Sequence, residues 1–371
     1  MADTVITTII PTFRRPRLLK RAIESVLAQS FKNFKICVYD NASGDETEDV
    51  VAEYIRHDDR VFYFKNSQNI GGVNNMIQGV YAVNTDFYSL LNDDDFLLPD
   101  FYENAMREFE SHPQAGFVCA KIITVDLVNK KMQFRSKDWL PGVYQPSNKI
   151  ASKMSTSHLG QPGMLLRRSM RQLIGPFDKS GNDVLYMTMA AASSPFVVLD
   201  GYGAVFTIHP QSYTAMTGLR GTDIFTLYEA LLFAVDSIMK INLPAERKVH
   251  LLMLATNAYC SIFDFKQQNQ LMTGKYEGKK LGGMSLPSRI TISGLIVKMY
   301  EVLPEKLHPV MTFCINLMLR TRKNRSKKIE ANWSVLPEDA NNFFLSLDTD
   351  VSKFLSCVQK SNMQSSETRG F

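Results

Sequence analysis

The sequence predicts an α/β protein, with a layered, mostly parallel-sheet domain in residues 1–222 and a helical region in residues 223–371. Two observations predict this division. Short runs rich in β-branched residues alternate with helical stretches over the first 125 residues. After about Asp223, long stretches carry apolar residues at helical spacing. Parallel strands need helical crossovers, so the alternation favours a layered domain. A length of 371 residues suits two domains, or one large domain with an extension.

The first 91 residues predict four strands and three helices in alternation. Pro16 stands where a helix can begin, and apolar residues follow at helical spacing as far as Leu27. Pro11 is expected to end the first strand. The predicted strands are Thr4–Ile10, Phe34–Tyr39, Val61–Phe64 and Asp86–Leu91, and the two later helices are Glu46–Arg56 and Gly71–Val83.

The remainder of the chain changes character twice. Between about Phe117 and Ile208 the pattern is mixed, with strands, Gly/Pro turns and a helical segment near Val184–Ala192. Beyond it, helical spacing predicts four long helices. They are Thr226–Ile241, Ala245–Phe265, Ile290–Val302 and Pro309–Leu319.

The positive charge of the chain is local. The formal net charge is +5, but the segment Arg320–Lys328 holds six basic residues and no acids, and the rest of the chain carries −1. No aromatic interleaving or recognition motif accompanies it, which argues against a nucleic-acid partner. Because the basic segment follows the apolar run Val310–Leu319, we expect a peripheral membrane contact through residues 310–328. A basic, solvated helix end is the alternative.

Composition also indicates a compartment. The five cysteines are scattered and form no CxxC pair, which is typical of a reduced compartment and not of a disulfide framework or a zinc site. The first residues lack the features of a signal peptide, and no apolar run reaches about 18 residues. We expect a cytoplasmic protein, in contact with the inner face of the membrane if the basic segment binds lipid.

Polar clusters follow three of the predicted strands. Strand one leads into Pro11-Thr12-Phe13-Arg14, strand two into Asp40-Asn41, and strand four into Asn92-Asp93-Asp94-Asp95. Ligands of open α/β sheets lie at the carboxyl ends of the strands, so these clusters should meet at one edge. Converging carboxylates favour a divalent cation with hard oxygen ligands, Mg²⁺ or Mn²⁺. An acidic turn that caps the next helix, near Pro99, is the alternative.

Several other chemistries lack their motifs. The chain has no Walker A sequence, no HExxH and no GxSxG, and Gly201-Tyr202-Gly203 lacks the third glycine of a dinucleotide fingerprint.

Five segments, in this order and spacing, resemble the inverting, GT-A-fold glycosyltransferases of family 2. They are VITTIIPTFRRPRLLKRAIESVLAQS, VYDNASGDET, NIGGVNNMIQGV, LLNDDDFLLPD and LLRRSMRQLIGPFD. The resemblance covers roughly the first 210 residues. It implies that Asp40 reads the nucleobase, commonly uracil. It also implies that the DXD-type motif, which holds the metal bridging the donor diphosphate, falls on Asn92, Asp93 and Asp94.

The chain departs from the family pattern at two points. Asn92 replaces the first carboxylate of the usual motif, which leaves Asp94 and Asp95 as the favoured metal ligands. Met76-Ile77-Gln78 stands where the family often has Ala-Arg-Asn, although Asn74 and Asn75 lie one turn earlier. One diphosphate contact therefore has no assigned residue.

The resemblance also assigns the remaining site residues. Asp183 matches the general base that deprotonates the acceptor hydroxyl, although a first-turn aspartate favoured by the helix dipole is the alternative. His209 matches a histidine near the metal or diphosphate. His158 and Gln161 are expected on the acceptor side, with a plain loop role as the alternative. The implied donor-binding residues are Pro11, Thr12, Arg14, Asp40, Asn41, Asn69, Asn75, Asp93 and Asp94, and the implied metal ligands are Asp94, Asp95 and His209.

The function implied is a metal-dependent, inverting transfer of a sugar from a nucleotide-diphosphate donor, most simply a UDP-sugar. The acceptor would be a hydroxyl of a saccharide or lipid-linked saccharide in surface-glycan synthesis, and Mn²⁺ or Mg²⁺ the cofactor. Arg14, Arg15 and Arg220 are further candidates for phosphate contact, with exposed surface arginines as the alternative reading. Asn92 and the missing arginine support a second hypothesis, a non-catalytic scaffold or glycan-binding module. A nucleotidyltransferase would need a glycine-rich basic loop that PTFRRP does not supply.

Overall fold

A computed structural model describes most of the chain. The described residues are 5–175, 182–212, 224–256, 258, 280–281, 284–285, 333–348 and 350–367. The predicted helices Ile290–Val302 and Pro309–Leu319, the basic segment Arg320–Lys328 and Arg220 lie outside them.

Strands and helices alternate through the first half of the chain, as predicted. The strands are β1 (Ile6–Thr12), β2 (Phe34–Asp40), β3 (Val61–Lys65), β4 (Phe87–Leu90), β5 (Phe96–Leu97), β6 (Phe117–Asp126), β7 (Lys131–Phe134), β8 (Gly142–Tyr144), β9 (Met164–Arg167), β10 (Phe196–Ile208), β11 (Lys280–Leu281), β12 (Met284–Ser285) and β13 (Ser334–Val335). The helices are α1 (Pro16–Leu27), α2 (Thr47–His57), α3 (Gly72–Ala82), α4 (Phe101–Ser111), α5 (Asn148–Thr156), α6 (Ser169–Ile174), α7 (Asp183–Ser193), α8 (Ile224–Lys240), α9 (245–256), α10 (Glu338–Ser346) and α11 (Val351–Glu367).

One large mixed sheet organises the described residues. Its main path runs β13-β7-β6-β9-β4-β1-β2-β3, and β10 pairs with β5, β6 and β8. The pairs β1–β2, β1–β4, β2–β3 and β6–β10 are parallel, whereas β9 is antiparallel to both β4 and β6. The predicted α/β class with a mostly parallel central sheet is therefore confirmed.

The first strand extends beyond the expected stop at Pro11. β1 pairs with β4 only from Ile6 to Ile9, whereas its pairing with β2 continues to Thr12. At Pro11 the strand thus has a sheet neighbour on one side only, where the missing N–H does least harm. This extension carries Thr12 to the carboxyl edge beside Asp40.

Alternation along β1 divides the apolar core between the two faces of the sheet. Ile6 and Ile10 pack with the apolar stripe of α1 and with α4. Ile9 faces the other way and packs with Met76 and Val80 of α3. The two helices thereby fix the loops that precede them, and these loops border the carboxyl edge.

The described residues of the C-terminal region are mostly helical, as predicted, and α10 and α11 pack against the sheet. α10 and α11 place Phe343, Phe344 and Phe354 around Phe96 of β5 in one buried aromatic cluster. β13 adds a short edge strand to β7. The predicted division at residues 222/223 stays a prediction, since residues 333–358 complete a core that the sheet begins.

Two further observations concern the predicted compartment. Within the part of the chain described, no helix has both the length and the apolarity needed to span a bilayer. Cys37, Cys119 and Cys357 are buried free thiols.

Candidate active site

The carboxyl ends of β1, β2 and β4 meet at one edge of the sheet. Thr12 ends β1 directly beside Asp40, the last residue of β2. On the other side of β1, the Leu91 N–H donates to the Ile9 carbonyl, so the acidic segment 92–95 begins at the same edge. The three polar clusters of the sequence are therefore neighbours in the fold.

Asp40 is buried and held by hydrogen bonds within the chain. Its Oδ1 accepts from the backbone N–H and the hydroxyl of Ser43, at 3.0 and 2.5 Å. Its Oδ2 accepts from the Tyr63 hydroxyl at 2.7 Å. Burial, followed by this hydrogen bond and the charge of Asp40, raises the pKa of Tyr63. Tyr63 therefore stays protonated as a donor, and it fixes the carboxylate that would face a nucleobase.

The asparagines of the predicted donor site tie β2 to α3. Asn41 Nδ2 donates to Asn69 Oδ1 at 2.8 Å, and Asn41 Oδ1 accepts the Ile70 N–H at 2.8 Å. Asn75 Nδ2 donates to the Tyr39 carbonyl at 2.7 Å. In this structure these amides hold the loop before α3 against the end of β2, so they shape one wall of the edge.

Arg14 joins the loops that follow β1 and β2. Its backbone adopts the left-handed region, with φ of 56°. The Arg14 N–H donates to the Ser43 hydroxyl at 2.8 Å, and Nε donates to the Ser43 carbonyl at 3.0 Å. Since Ser43 also binds Asp40, the loop after β1 and the Asp40 carboxylate form one network. Pro11 is half-buried in β1, opposite Tyr39 of β2.

The acidic segment 92–95 is held by Arg15, which lies between the end of β1 and the start of α1. Asp93 accepts from Thr12 Oγ1 at 2.7 Å and from Arg15 Nη1 at 3.0 Å. The same Arg15 nitrogen donates to Asp94 Oδ2 at 3.0 Å, and Nη2 donates to the Gln211 carbonyl at 2.8 Å. Burial and the charge of Asp94 nevertheless raise the pKa of Asp93 to about 6. Arg15 thus balances only part of the concentrated negative charge.

His209 lies on the other side of the Asp94 carboxylate. His209 Nε2 is 3.1 Å from Asp94 Oδ2, and the Gln211 N–H donates to Nδ1 at 3.3 Å. Because Nδ1 accepts, Nε2 carries the proton and donates to Asp94. Asp94 and His209, both predicted to be metal ligands, are therefore in direct contact, and their role as ligands stays a prediction.

Asp95 anchors the acidic segment to β10. Its Oδ1 accepts the Thr207 N–H at 2.9 Å, and its Oδ2 accepts from Asn92 Nδ2 at 3.3 Å. The side chain is fully buried, and burial raises the pKa of Asp95 well above its usual range. Beneath it, Arg21 Nη2 donates to the Asp94 carbonyl at 2.7 Å. Asn92, in place of a carboxylate, thus supplies a hydrogen bond that orients Asp95.

The donor set at this edge is compatible with a divalent cation. Asp94 and His209 present an oxygen and an imidazole nitrogen toward one another, and the carboxylate oxygen is of the type that suits Mn²⁺ or Mg²⁺. Among the residues that the structure describes, no group of three His, Cys, Asp or Glu side chains has a metal-binding arrangement. To bind an ion, Asp94 must release Arg15, and His209 must move its proton to Nδ1. For Asp95 to be a ligand as well, its Oδ1 must give up the hydrogen bond from the Thr207 N–H and bind the ion instead.

Asp183 and Gln161 lie together near the end of β4. Asp183 is the first residue of α7, whose N-cap Asn182 accepts the Leu185 N–H at 3.0 Å. With Tyr88 and Leu90, Asp183 and Gln161 line a cavity of about 10 Å³, the size of one water. Asp183, the predicted base, is thus half-buried at the start of α7, close to β4, the strand that leads into the acidic segment.

His158 is held neutral by Arg135. Arg135 Nη2 lies 3.0 Å from His158 Nε2, and burial together with this positive charge lowers the pKa of His158 to about 4. Burial lowers the pKa of Arg135, and the charge of Asp183 opposes that change. Arg135, His158 and Asp183 are therefore electrostatically connected on the predicted acceptor side.

Sequence reasoning missed Tyr63, Arg135 and Arg21, and gave Arg15 only a general phosphate role. Tyr63 lies half-buried on the same face of β3 as Val61, and Arg135 follows β7 in the mixed region, so no motif marks either residue. Arg15 carried a weak signal, because it stands between the strand end and the helix start that border the site.

Comparison with known families agrees with this geometry. The model of the family described as "Glycosyl transferase family 2" matches residues 7–175. The chain is 38% identical over 104 residues to the GalNAc(5)-diNAcBac-PP-undecaprenol beta-1,3-glucosyltransferase of Campylobacter jejuni, covering 28% of this chain and 34% of that protein. It is 23% identical over 108 residues to the glycosyltransferase GlyA of Streptococcus pneumoniae, covering 29% and 15%. The chain thus spans about a third or less of these relatives.

Solved structures share the fold over a longer stretch. S. aureus TarS 1-349 in complex with UDP-GlcNAc superposes with a TM-score of 0.62 at 15% identity, covering 97% of this chain and 92% of that one. TarS 1-349 without that ligand gives 0.58 at 16% identity, with the same coverage. Identity this low shows the fold alone, whereas the family match covers the edge built by β1, β2 and β4. Residues 7–175 therefore match a glycosyltransferase family 2 domain, and the named relatives that resemble this part of the chain are glycosyltransferases.

Proposed function

We propose that the protein is an inverting glycosyltransferase that moves a sugar from a UDP-sugar to a hydroxyl of a saccharide or lipid-linked saccharide. One observation carries the proposal. Asp40, Thr12 and the acidic segment, all within the residues that match the family 2 model, converge with His209 at the carboxyl edge of one sheet. Ligands of open α/β sheets bind at such an edge.

The donor would lie across the ends of β1 and β2. Asp40, fixed by Ser43 and Tyr63, would accept an N–H of the base, and uracil offers one. Thr12, Arg14 and Pro11 would border the nucleotide, and the wall of Asn41, Asn69 and Asn75 would close its other side. The UDP-GlcNAc held by the TarS neighbour is in keeping with a uridine donor.

A divalent cation, Mn²⁺ or Mg²⁺, would be held by Asp94 and His209, with Asp95 as the third ligand once it frees its bond to Thr207. When bound, such an ion neutralises charge on the leaving diphosphate as a Lewis acid. Asp93 would stay bonded to Thr12 and keep the segment in register. Arg15, released from Asp94, would remain within reach of the diphosphate as a second positive charge.

Asp183 would act as the general base. Its carboxylate takes the proton of the acceptor hydroxyl while that oxygen attacks the anomeric carbon and the bond to the diphosphate oxygen breaks. A single displacement of this kind inverts the anomeric centre. Gln161 and His158 would border the acceptor, and the neutral His158 can accept a hydrogen bond from Arg135 without adding charge beside the base.

The acceptor class rests on the relatives. The Campylobacter jejuni protein is named for an undecaprenol-linked saccharide acceptor, and we extend the class, a lipid-linked saccharide, to this chain. The predicted membrane contact through residues 310–328 would suit such an acceptor, and it stays a prediction. So does a location at the inner face of the membrane.

The test is release of free nucleotide from a panel of nucleotide-sugars, with Mn²⁺ or Mg²⁺, in the presence of saccharide and lipid-linked acceptors. We expect UDP release from one UDP-sugar that depends on the acceptor. Binding of UDP without turnover of any donor would favour the second hypothesis, a glycan-binding or scaffold protein that retains the fold.

A further inference from the structure

A second polar cavity lies behind the acidic segment, on the side of α1. It has a volume of about 370 Å³, within the range of small-ligand sites. Arg14, Arg15, Arg17, Arg21 and His209 line it together with Thr207, and no acidic residue does. The cavity shares Arg14, Arg15 and His209 with the proposed donor and metal site, whereas Asp40, Asn41 and Asn69 are absent from its lining. It therefore adjoins the proposed donor site and extends beyond it on the side of Arg17, Arg21 and Thr207.

Three buried polar atoms of this cavity, two of Arg21 and one of Thr207, have no hydrogen-bond partner within the part of the chain that the structure describes. Arg21 is 1% exposed, and its Nε and Nη1 have no hydrogen-bond acceptor among the described residues. Thr207 is also 1% exposed, and its hydroxyl is unpaired. Leaving a buried donor unpaired costs free energy, and an unpaired charged donor costs more. Both groups therefore favour an acceptor-rich ligand in the cavity.

The positive charge of the residues that line the cavity favours a negatively charged ligand. Burial lowers the pKa of Arg21 to about 10, which still leaves it protonated at neutral pH. Arg17 is exposed, and the described residues give it no ion pair or hydrogen bond. Arg15 already binds Asp93 and Asp94 through Nη1 and the Gln211 carbonyl through Nη2. The four guanidinium groups and the Thr207 hydroxyl are donors of the kind that bind the oxygens of a phosphate or diphosphate.

The N-terminus of α1 adds to this field. The twelve-residue helix begins with Pro16, has no side-chain cap and has no acidic residue in its first turn. Its free N–H groups and partial positive charge border the arginine-lined cavity. The uncapped start of α1 and the unpaired Nε and Nη1 of Arg21 are independent observations, and both favour an anionic ligand.

We propose that this cavity is a second anion site, which binds a phosphate or diphosphate group separately from the nucleotide donor. Two sources share that chemistry: a free inorganic anion, and the diphosphate headgroup of a lipid carrier. The site stands on its own geometry and does not require glycosyl transfer.

The first test is titration calorimetry with inorganic pyrophosphate on the full chain, comparing wild type, Arg17→Gln and Lys20→Gln. Lys20 is exposed on the same helix and lies outside the cavity lining, so its variant loses the same charge at a neighbouring position. We expect Arg17→Gln to weaken binding about tenfold or more, and Lys20→Gln to leave it within about twofold. Equal effects of the two substitutions, or no binding by wild type at millimolar pyrophosphate, would overturn the proposal.

The second test separates this cavity from the donor site. UDP binding is measured alone, and pyrophosphate is then titrated at saturating UDP. We expect pyrophosphate to bind with UDP present and Arg17→Gln to leave UDP affinity unchanged. Loss of pyrophosphate binding in the presence of UDP would overturn the second site. Failure of UDP to bind at all would count against the proposed function and leave the Arg17 comparison valid.

A third arm distinguishes the two sources. Vesicles of neutral phospholipid, with or without a few per cent polyprenyl diphosphate, are sedimented with each variant. Binding that requires polyprenyl diphosphate and falls in Arg17→Gln identifies the lipid headgroup as the source. Pyrophosphate binding without such vesicle binding identifies a free anion.

Discussion

Asp183 is the residue on which the chemistry of the proposed transfer depends. It begins α7, next to the N-cap that Asn182 supplies, so an amide at position 183 preserves the cap and the helix start. We expect Asp183→Asn to lower the rate of sugar transfer by about 10²- to 10⁴-fold. UDP affinity should not change, because the residue lies away from the proposed donor contacts.

Asp200→Asn provides the control for this substitution. Asp200 is an exposed carboxylate on β10, and its loss should leave the transfer rate unaltered. Turnover is measured as UDP release and binding by calorimetry. A fully active Asp183→Asn enzyme would contradict the assignment of the base.

His158 predicts a pH dependence of stability. Its pKa in the fold is about 4, below the value near 6.5 of an unfolded histidine. The unfolded chain therefore binds more protons between these values, so stability is fully present above pH 6.5 and falls as the pH decreases toward 4. Relative to His158→Gln, wild type should lose up to about 2 kcal/mol of unfolding free energy between pH 7 and pH 5.

Urea denaturation at the two pH values measures this difference, with His57→Gln as the control. His57 is exposed on α2, and its substitution should leave the pH dependence of the wild type in place. If His158→Gln and wild type lose stability in parallel, His158 is not held neutral by burial and Arg135.

At the scale of elements, a glycine allows α3 to pack closely against β1 and β2, the strands of the proposed donor site. A Cβ at Gly79 would lie 2.5 Å from Ile9 Cγ2 and 3.0 Å from Tyr39 Cδ2. Alanine favours a helix by about 1 kcal/mol over glycine, but overpacking a core costs about 1–3 kcal/mol. Because Ile9 is a β-branched residue of a central strand, we expect Gly79→Ala to reduce the unfolding free energy.

Gly72 gives a matched comparison at the start of the same helix. A Cβ there meets no atom within 4 Å, so Gly72→Ala should change stability by no more than about 0.5 kcal/mol. Chemical denaturation of both variants checks the pair. Stabilisation by Gly79→Ala would show that α3 packs less closely on β1 and β2 than described.

The C-terminal helix α10 is a second element whose packing reaches the site. Phe344 is 2% exposed, and the Arg21 guanidinium lies 5.2 Å from the centre of its ring and 5.1 Å from that of Phe96. Arg21 in turn binds the Asp94 carbonyl. We expect Phe344→Ala to cost about 3–5 kcal/mol of unfolding free energy.

The neighbouring Leu345 provides the control, since it is 72% exposed on the same helix. Leu345→Ala should remain within about 0.5 kcal/mol of wild type. Thermal and urea unfolding would reveal the difference. Similar values for the two variants would mean that α10 contributes little to the core beneath the acidic segment.

At the scale of the whole molecule, the sequence was most informative where local pattern and topology agree. Alternating strands and helices predicted the parallel sheet, and polar residues at strand ends predicted that Thr12, Asp40 and the acidic segment would be neighbours. Boundaries shifted by one or two residues because pairing depends on neighbours, as at Pro11, which β2 alone flanks. Long-range partners left no local signal.

Arg15, Tyr63 and Arg135 illustrate what the sequence could not specify. Each is an ordinary polar residue whose function follows from a partner far along the chain, such as Asp93 for Arg15 or His158 for Arg135. The packing of α10 on the sheet was also missed, since helical spacing predicts a helix but not the surface it covers. The role of Asn92 became interpretable only when the carboxylate of Asp95 was placed.

The central claim, a uridine-nucleotide site at the carboxyl edge of β1 and β2, is tested most directly by calorimetric titration of UDP with Mn²⁺ present. Wild type is compared with Asp40→Asn and with Asp59→Asn, a substitution at an exposed residue before β3. We predict one UDP per chain, affinity at least about tenfold weaker in Asp40→Asn, and no change in Asp59→Asn. No UDP binding by wild type, or equal binding by a folded Asp40→Asn variant, would contradict the claim.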